Sequence, residues 1–141
     1  MNAAMRSPEI IDMQRTNETV GTHMSAAPVT IQLDRDLASA IQLMEQHEIR
    51  HLAVLSGTQL VGVLSERDLA VVEALVPNDW ERIPVAEAMT PEPYAVAAET
   101  PIREVAGVMA EQRYGCAMVT DALGQVVGLF TTTDALRLLA R

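Results

Sequence analysis

Two stripes of apolar residues with helical spacing stand 65 positions apart in the chain. In each stripe the apolar residues occupy positions i, i+3, i+4 and i+7, which places their side chains on one face of a helix. The stripes are Leu37, Ala40, Ile41 and Met44 in the first half, and Ile102, Val105, Ala106 and Met109 in the second. The pattern therefore predicts two equivalent amphipathic helices, each with one face turned toward a core.

Short apolar runs on either side of the stripes predict strands. In the first half, strands are predicted at 29–33, 52–55 and 60–64, and helices at 36–48 and 65–75. Turns at 56–58 and 121–124 separate the last two strands of each half. One extra residue in the second turn raises the offset between the halves from 65 to 66. We therefore expect a mixed α/β (α+β) fold in which each half has the order β-α-β-β-α.

The same motif ends the last strand of each half, as VGVLSERD at 61–68 and VGLFTTTD at 127–134. Ser65 with Asp68, and Thr131 with Asp134, share a face of a helical turn because they lie at i and i+3. The hydroxyl can meet a phosphate at the helix N-terminus, and the carboxylate can accept hydrogen bonds from two neighbouring hydroxyls, as on a ribose. The same residues would also cap a helix without any ligand, and the two interpretations are compatible. The duplication favours a nucleotide-binding module.

The two halves are expected to pack against each other through their sheets. Each has about 55 residues and would be marginally stable alone. Gly62 and Gly128, isolated within predicted strands, allow close backbone approach there. We predict an N-terminal segment at 1–17 whose order the sequence leaves open, a first motif at 18–76, a linker at 77–83 and a second motif at 84–141. The halves would be related by a pseudo-two-fold axis with two equivalent clefts.

Composition narrows the class of partner. The 141-residue chain has a net charge of −9, and all ten of its cations are Arg. This surface repels duplex nucleic acid and lacks a polybasic membrane anchor, so that an anionic ligand would need local Arg side chains. No apolar run reaches the ~18–20 residues of a membrane span. A single cysteine cannot form an intramolecular disulfide, and we expect the chain in the cytoplasm.

Residues 47–51 match the zinc-peptidase signature HExxH. That chemistry needs His47 and His51 on one helical face, together with a third ligand. Because the helical stripe ends at Met44 and a strand begins near Leu52, we expect His51 at a helix–strand corner, where this geometry fails. We predict neither a metal site nor catalytic residues, and a protein that is not an enzyme.

The duplicated motif, the two helical stripes, Met24 and Met89 ahead of each half, and the sequence IRHLAV at 49–54 together resemble the cystathionine-β-synthase (CBS) domain family. The resemblance covers roughly residues 18–140. It implies a tandem pair, or Bateman module, that binds adenosine-type ligands in the clefts between its motifs. Such modules usually dimerise into a flat disc and are mostly regulatory rather than catalytic.

The resemblance also assigns site residues by position. Asp68 and Asp134 would hold ribose hydroxyls, and Ser65 and Thr131 would face phosphate. The positions lining the adenine and phosphate region would be Val29, Arg50, His51 and Leu52 in one half, and Tyr94, Gly115 and Cys116 in the other. Arg50 and Arg67 have Gly115 and Thr133 as counterparts. Because Arg–phosphate contacts are charge-assisted, we expect the first site to be the tighter and more phosphate-demanding one.

These observations predict a regulatory sensor of adenine nucleotides (AMP, ADP or ATP) that acts in signal transduction by changing the geometry of the motif pair or of a homodimer. The nucleotide would be a regulatory ligand, with Mg²⁺ as an accompanying ion, and no cofactor would be obligatory. The regulated protein is not identified by the sequence. Two alternatives stay open, a ligand-free dimerisation scaffold and a module that binds S-adenosylmethionine or NAD instead.

Overall fold

A computed structural model of the chain describes residues 18–140, and the predicted N-terminal segment at 1–17 lies outside these residues. The first half consists, in order, of a 3₁₀ helix (Val20–Thr22), β1 (Ser25–Ala26), β2 (Thr30–Gln32), α1 (Leu37–His47), β3 (His51–Ser56), β4 (Gln59–Ser65) and α2 (Glu66–Leu75). The second half consists of a 3₁₀ helix (Trp80–Arg82), α3 (Val85–Ala88), β5 (Thr90–Pro91), β6 (Ala95–Ala97), α4 (Ile102–Gln112), β7 (Cys116–Thr120), β8 (Val126–Thr131) and α5 (Thr132–Ala140). The predicted fold class and the order β-α-β-β-α are confirmed in both halves.

Local signals at both ends of α1 explain its boundaries. Asp36 caps its N-terminus by accepting a hydrogen bond of 3.0 Å from the backbone N–H of Ser39. This hydrogen bond lowers the pKa of the Asp36 carboxyl. Glu48 ends the helix in the left-handed conformation, with φ 54°. The chain can therefore turn directly into β3.

The strands form two sheets of four, in the orders β2-β3-β4-β5 and β1-β8-β7-β6. Within each sheet the first two strands of a motif run parallel and the last two form an antiparallel hairpin. The fourth strand comes from the other half. β5, from the second half, pairs with β4, whereas β1, from the first half, pairs with β8. The segment at the start of each half, called its lead here, consists of the 3₁₀ helix Val20–Thr22 with β1 in the first half and of α3 with β5 in the second. Each lead therefore packs with the other half, an arrangement that the sequence did not predict.

Each half has its own core beneath its helices, and a third apolar layer joins the two sheets. Leu52, Val54 and Leu64 lie in the first core, and Ala117, Val119 and Phe130 lie in the second. The leads are exchanged here as well, since Val85 is fully buried in the first core and Val20 in the second. The layer between the sheets contains the buried residues Ala53, Cys116, Met118 and Leu129. The predicted packing of sheet against sheet is confirmed.

Two glycines make room for the exchanged leads. A Cβ atom built on Gly62 would lie 2.5 Å from the sulfur of Met89 and 2.9 Å from the carbonyl oxygen of Thr90. A Cβ atom on Gly128 would overlap the side chain of Met24 in the same way. The close approach expected at these two glycines is therefore the contact of each hairpin with the other half's lead.

Gly62→Ala and Gly128→Ala should each lower the free energy of unfolding by about 1–3 kcal/mol, because the added methyl group must displace a lead segment. Urea denaturation of each variant measures this loss. Gly107→Ala is the matched control, because a Cβ there has no atom within 4 Å and the residue lies within α4. It should be neutral or stabilising by about 0.5–1 kcal/mol. Equal losses in all three variants would contradict the close-contact explanation.

Candidate functional site

The two copies of the motif lie where the last strand of each half passes into a helix. Ser65 ends β4 and caps α2, and its backbone N–H donates to Oδ2 of Asp68 at 2.9 Å, while the N–H of Asp68 donates to the Ser65 hydroxyl at 3.1 Å. Thr131 and Asp134 form the same reciprocal pair, at 2.8 Å and 3.2 Å. Both motifs are thus complete capping boxes without any ligand.

The capping boxes leave one oxygen of each carboxylate outside the cap. Oδ1 of Asp68 accepts no hydrogen bond from residues 18–140. Oδ1 of Asp134 has Nη1 of Arg137 at 3.8 Å, and the Asp134 side chain is 13% exposed. The helix cap and an interaction with a ligand hydroxyl can therefore coexist at both motifs, with the Asp134 oxygen already drawn toward a cation.

Strand pairing brings the other predicted residues to these motifs. His51 lies opposite Ser65 in the β3–β4 hairpin, and Cys116 lies opposite Thr131 in the β7–β8 hairpin. The N–H of Glu66 donates to the carbonyl of Arg50 at 2.9 Å, and that of Thr132 donates to the carbonyl of Gly115 at 3.0 Å. Val29 directly precedes β2, and Tyr94 directly precedes β6. Because β2 and β6 run parallel to β3 and β7, both residues lie at the end of the sheet where the motif is found.

The predicted residues differ in what they can offer a ligand. Arg50 and Arg67 are exposed, and neither forms an ion pair within the described part of the chain. Thr133 is likewise exposed. The side chain of Leu52, in contrast, is fully buried in the first core. The structure therefore brings the charged and hydroxyl groups together at the motifs and leaves the Leu52 side chain in the core beneath α1.

The two motif regions adjoin each other at the pseudo-two-fold axis. Nε2 of His51 lies 3.0 Å from the position that a Cβ would take on Gly115 of the other half. The charge of Asp68 also reaches Cys116 across the axis, where it helps to raise the pKa of the thiol. Groups from both halves therefore surround one shared region.

Burial dominates the protonation of both titratable groups at the axis. Burial lowers the pKa of His51 below 6.5, with Arg50 acting in the same direction and Asp68 and Glu66 opposing it. Burial, and then the charge of Asp68, raises the pKa of Cys116 to about 12. At neutral pH, His51 is therefore an uncharged imidazole and Cys116 an uncharged thiol.

The HExxH match does not form a metal-binding helix face. His47 is the last residue of α1, Glu48 adopts the left-handed conformation, and His51 begins β3. Between residues 18 and 140 there is no cluster of three or more His, Cys, Asp or Glu side chains able to hold a metal ion. The spacing in the sequence therefore does not become the i, i+4 geometry that zinc peptidases require.

A stacked pair of tyrosines beside the second motif was missed by the sequence analysis. The rings of Tyr94 and Tyr114 lie 5.5 Å apart at 30°. Burial raises the pKa of Tyr94. The repeat offset contained the signal, since these tyrosines replace Val29 and Ile49 of the first half. The second motif therefore has an aromatic flank where the first has an aliphatic one.

Three surface depressions lie along the helices rather than at the motifs. Two of about 560 Å³ and 500 Å³ follow the outer faces of α1 and α4. A third of about 400 Å³ lies between β2 and α1 and includes Thr30. Since all three lack the motif side chains, the candidate site is defined by the converging chemistry at the axis rather than by these depressions.

Comparison with known proteins agrees with this geometry. The family model described as CBS domain matches residues 20–74 and 85–141, and the chain belongs to the CBS domain family. Inosine-5′-monophosphate dehydrogenase of Korarchaeum cryptofilum (strain OPF8) is 25% identical over 126 residues, which are 89% of this chain and 25% of that enzyme. The chain thus spans about a quarter of the length of this relative.

Two solved structures share the fold over nearly their whole length. The CBS domain pair of protein MJ0100, in complex with 5′-methylthioadenosine and S-adenosyl-L-methionine, has a TM-score of 0.79 and 25% identity and covers 86% of this chain and 95% of that one. CBSX2 in complex with AMP has a TM-score of 0.75 and 25% identity, covering 87% of this chain and 96% of that one.

None of the helices between residues 18 and 140 has the length and hydrophobicity of a membrane-spanning segment.

Ser65→Ala and Thr131→Ala should each lower the free energy of unfolding by about 1 kcal/mol, because each removes the hydroxyl of a capping box. Urea denaturation tests this expectation. Ser56→Ala is the control, because this exposed serine ends β3 and takes no part in a cap. A loss in the Ser56 variant as large as in the other two would show that the caps are not the cause.

The Cys116 thiol should react with a disulfide reagent at about pH 8 roughly a thousandfold more slowly in the native protein than in denaturant, since the thiolate is the reactive form. The raised pKa of about 12 keeps almost all of the native thiol protonated at this pH. Absorbance of the released thiol gives both rates. Equal rates would mean that Cys116 is neither buried nor protonated as described.

Proposed function

We propose that this chain is a regulatory module whose two motifs bind adenosine-type nucleotides at the pseudo-two-fold axis. The observation that supports this proposal most directly is that each motif carboxylate keeps one oxygen outside its capping box. The Asp68 carboxylate also lies close enough to Cys116 of the other half for its charge to raise the pKa of that thiol. A carboxylate oxygen of this kind is suited to accept hydrogen bonds from ribose hydroxyls. The AMP complex of CBSX2 and the adenosine-derivative complex of MJ0100 support the ligand class.

Roles follow from position in each half. Oδ1 of Asp68 and of Asp134 would accept from the ribose, while Ser65 and Thr131, at the helix N-termini, would face the phosphate. Val29 would contact the base in one cleft and Tyr94 in the other. Backbone groups around Leu52 and Cys116 would border the ligand.

The two sites would be unequal. Arg50 and Arg67 form no ion pair between residues 18 and 140 and would offer their guanidinium groups to a phosphate in the first site, whereas Gly115 and Thr133 offer no charge in the second. The approach of Arg137 to Oδ1 of Asp134 at 3.8 Å would also compete with a ribose hydroxyl. The first site would therefore bind nucleoside phosphates more tightly. Mg²⁺ would accompany a ligand with two or three phosphates.

Regulation would act through the relative position of the halves. A ligand that touches both halves favours the arrangement to which it binds better, and it can shift the equilibrium only by that difference in affinity. Exposed aliphatic side chains on α2 and α5 would form a homodimer surface through which this change reaches a regulated protein. They are Val71, Leu75, Leu136 and Leu139, which are 51%, 76%, 59% and 70% exposed. We place this activity in the cytoplasm, where a single free cysteine stays reduced.

A second candidate function is a dimerisation scaffold without a ligand. The completeness of both capping boxes favours it, because the motifs have a structural reason to exist without a nucleotide. A scaffold would show no change in melting temperature with any nucleotide, whereas a ligand bound only by the native state must stabilise it.

Isothermal titration with AMP, ADP, ATP, NAD, S-adenosylmethionine and 5′-methylthioadenosine should find at least one ligand that binds. At a hundredfold excess over Kd, that ligand should stabilise the native state by about 2.7 kcal/mol, measured as a shift in the unfolding curve. Asp68→Asn and Asp134→Asn should each weaken one site by about tenfold, since each removes the charge from a ribose acceptor.

Two controls separate ligand binding from capping. Asp34→Asn changes an exposed carboxylate outside both motifs and should leave affinity unchanged. Ser65→Ala removes a cap hydroxyl but keeps the Asp68 carboxylate, so it should lower the free energy of unfolding by about 1 kcal/mol. It should leave unchanged the affinity for 5′-methylthioadenosine, which has a ribose but no phosphate. Titrations without heat, and unfolding curves without a shift, for all six ligands would reject the nucleotide proposal in favour of the scaffold.

A further inference from the structure

Gly115 has no side chain at the position where the first half has Arg50. Its carbonyl accepts hydrogen bonds from both the N–H and the hydroxyl of Thr132, at 3.0 Å and 3.1 Å, at the start of α5. The positive-φ glycines between residues 18 and 140 are Gly57 and Gly124, so the backbone conformation at 115 does not require glycine. What a side chain would meet there is the imidazole of His51, with Nε2 at 3.0 Å from its Cβ.

His51 thus belongs to the first half by sequence and also borders the second motif by position. The second half has Cys116 at its own equivalent of His51, and that thiol stays protonated because its pKa is about 12. The second motif therefore has neither the arginine nor the histidine of the first within its own repeat. The imidazole of His51 reaches across the axis to Gly115, at the start of the second motif's helix, where the second half has no arginine or histidine of its own.

Between residues 18 and 140, the charged groups that act on His51 all belong to the first half. Asp68 and Glu66 act on it from α2, and Arg50 acts from the residue before it. Gly115, the residue before β7 that lies beside His51 from the second half, carries no charge. Burial outweighs the two carboxylates and keeps the imidazole neutral in the free protein. A ligand phosphate would add negative charge to this balance and favour the protonated form.

We propose that His51 is supplied by the first half to the second site, where it contacts the phosphate of a bound nucleotide and takes up a proton when that nucleotide binds. The inference rests on the proposed nucleotide-binding function. It assigns the two sites different chemistry. The first site holds phosphate through arginine, whose charge does not change with pH, and the second holds it through an imidazole that must first be protonated.

The sign of the pH dependence follows from the direction of the change. Binding raises the pKa of His51 from its lowered value in the free protein, so the gain in affinity is complete below the free-protein pKa. It is lost as the pH rises through the bound-state pKa. The weaker of the two AMP sites should therefore bind about threefold to tenfold more tightly at about pH 6 than at about pH 8. Adenosine, which has no phosphate, should bind equally at both.

The test is isothermal titration of the full chain with AMP and with adenosine at these two pH values, for wild type and His51→Gln. The phosphate of AMP itself titrates at about pH 6. The difference in AMP affinity between wild type and variant at each pH therefore isolates the contribution of the imidazole. His51→Gln should abolish the extra tightening at low pH and leave adenosine binding unchanged. Titrations in buffers of different ionisation enthalpy should show proton uptake on AMP binding in wild type and less in the variant.

A second variant tests the position of His51 while keeping the residue. Gly115→Ala places a methyl group against Nε2 and should reduce proton uptake and the pH dependence of the weaker site. Gly107→Ala, on the open surface of α4, is the matched control and should behave as wild type. If AMP binds but His51→Gln and Gly115→Ala both match wild type at each pH, this inference is wrong and the proposed function stands. If neither AMP nor adenosine binds, this inference is overturned, whereas the proposed function is overturned only when all six ligands of its own titration fail to bind.

Discussion

The structure depends on the need of each small sheet to cover both of its faces. The helices of a half cover one face of its sheet, and the sheet of the other half covers the opposite face through the layer around Ala53 and Met118. The exchanged leads extend this dependence to the edges, since each hairpin receives its outer strand from the other half. Val20 of the first half is buried in the second core, and Val85 of the second half is buried in the first. Neither half therefore has a complete core or a complete sheet of its own.

This packing is what places the motif chemistry at the axis. A hydroxyl and a carboxylate at a helix start are common, and alone they only cap the helix. Here the hairpin register puts His51 beside Ser65 and Cys116 beside Thr131, and the facing sheets then bring the two groups together. A ligand held there would touch residues of both halves. Its binding would therefore depend on how the two sheets sit against each other, which is the basis for a regulatory role.

Local interactions were predictable from the sequence, and contacts across the axis were not. The apolar stripes gave α1 and α4, and the i, i+3 pairing gave the capping boxes, because both signals arise within a few residues. The two-residue strands β1 and β5 have no periodicity, and their partners lie in the other half. The repeat offset identifies the tyrosines at 94 and 114, but their stacking, like the contact of His51 with Gly115, depends on packing between residues that are distant in sequence. The segment boundaries and the ligand-contacting roles of the motif residues stay predictions.

The reciprocal leads also constrain how such a duplicated chain can evolve. Each contact between a lead and a hairpin is shared between the two repeats, because Met89 of the second repeat packs on Gly62 of the first, and Met24 of the first packs on Gly128 of the second. A substitution at Arg50 or Gly115 changes one motif region, whereas a substitution at one of these shared contacts has to be matched in the other repeat. A duplicated gene of this kind can diverge separately at its two motifs while its scaffold is inherited as one linked unit.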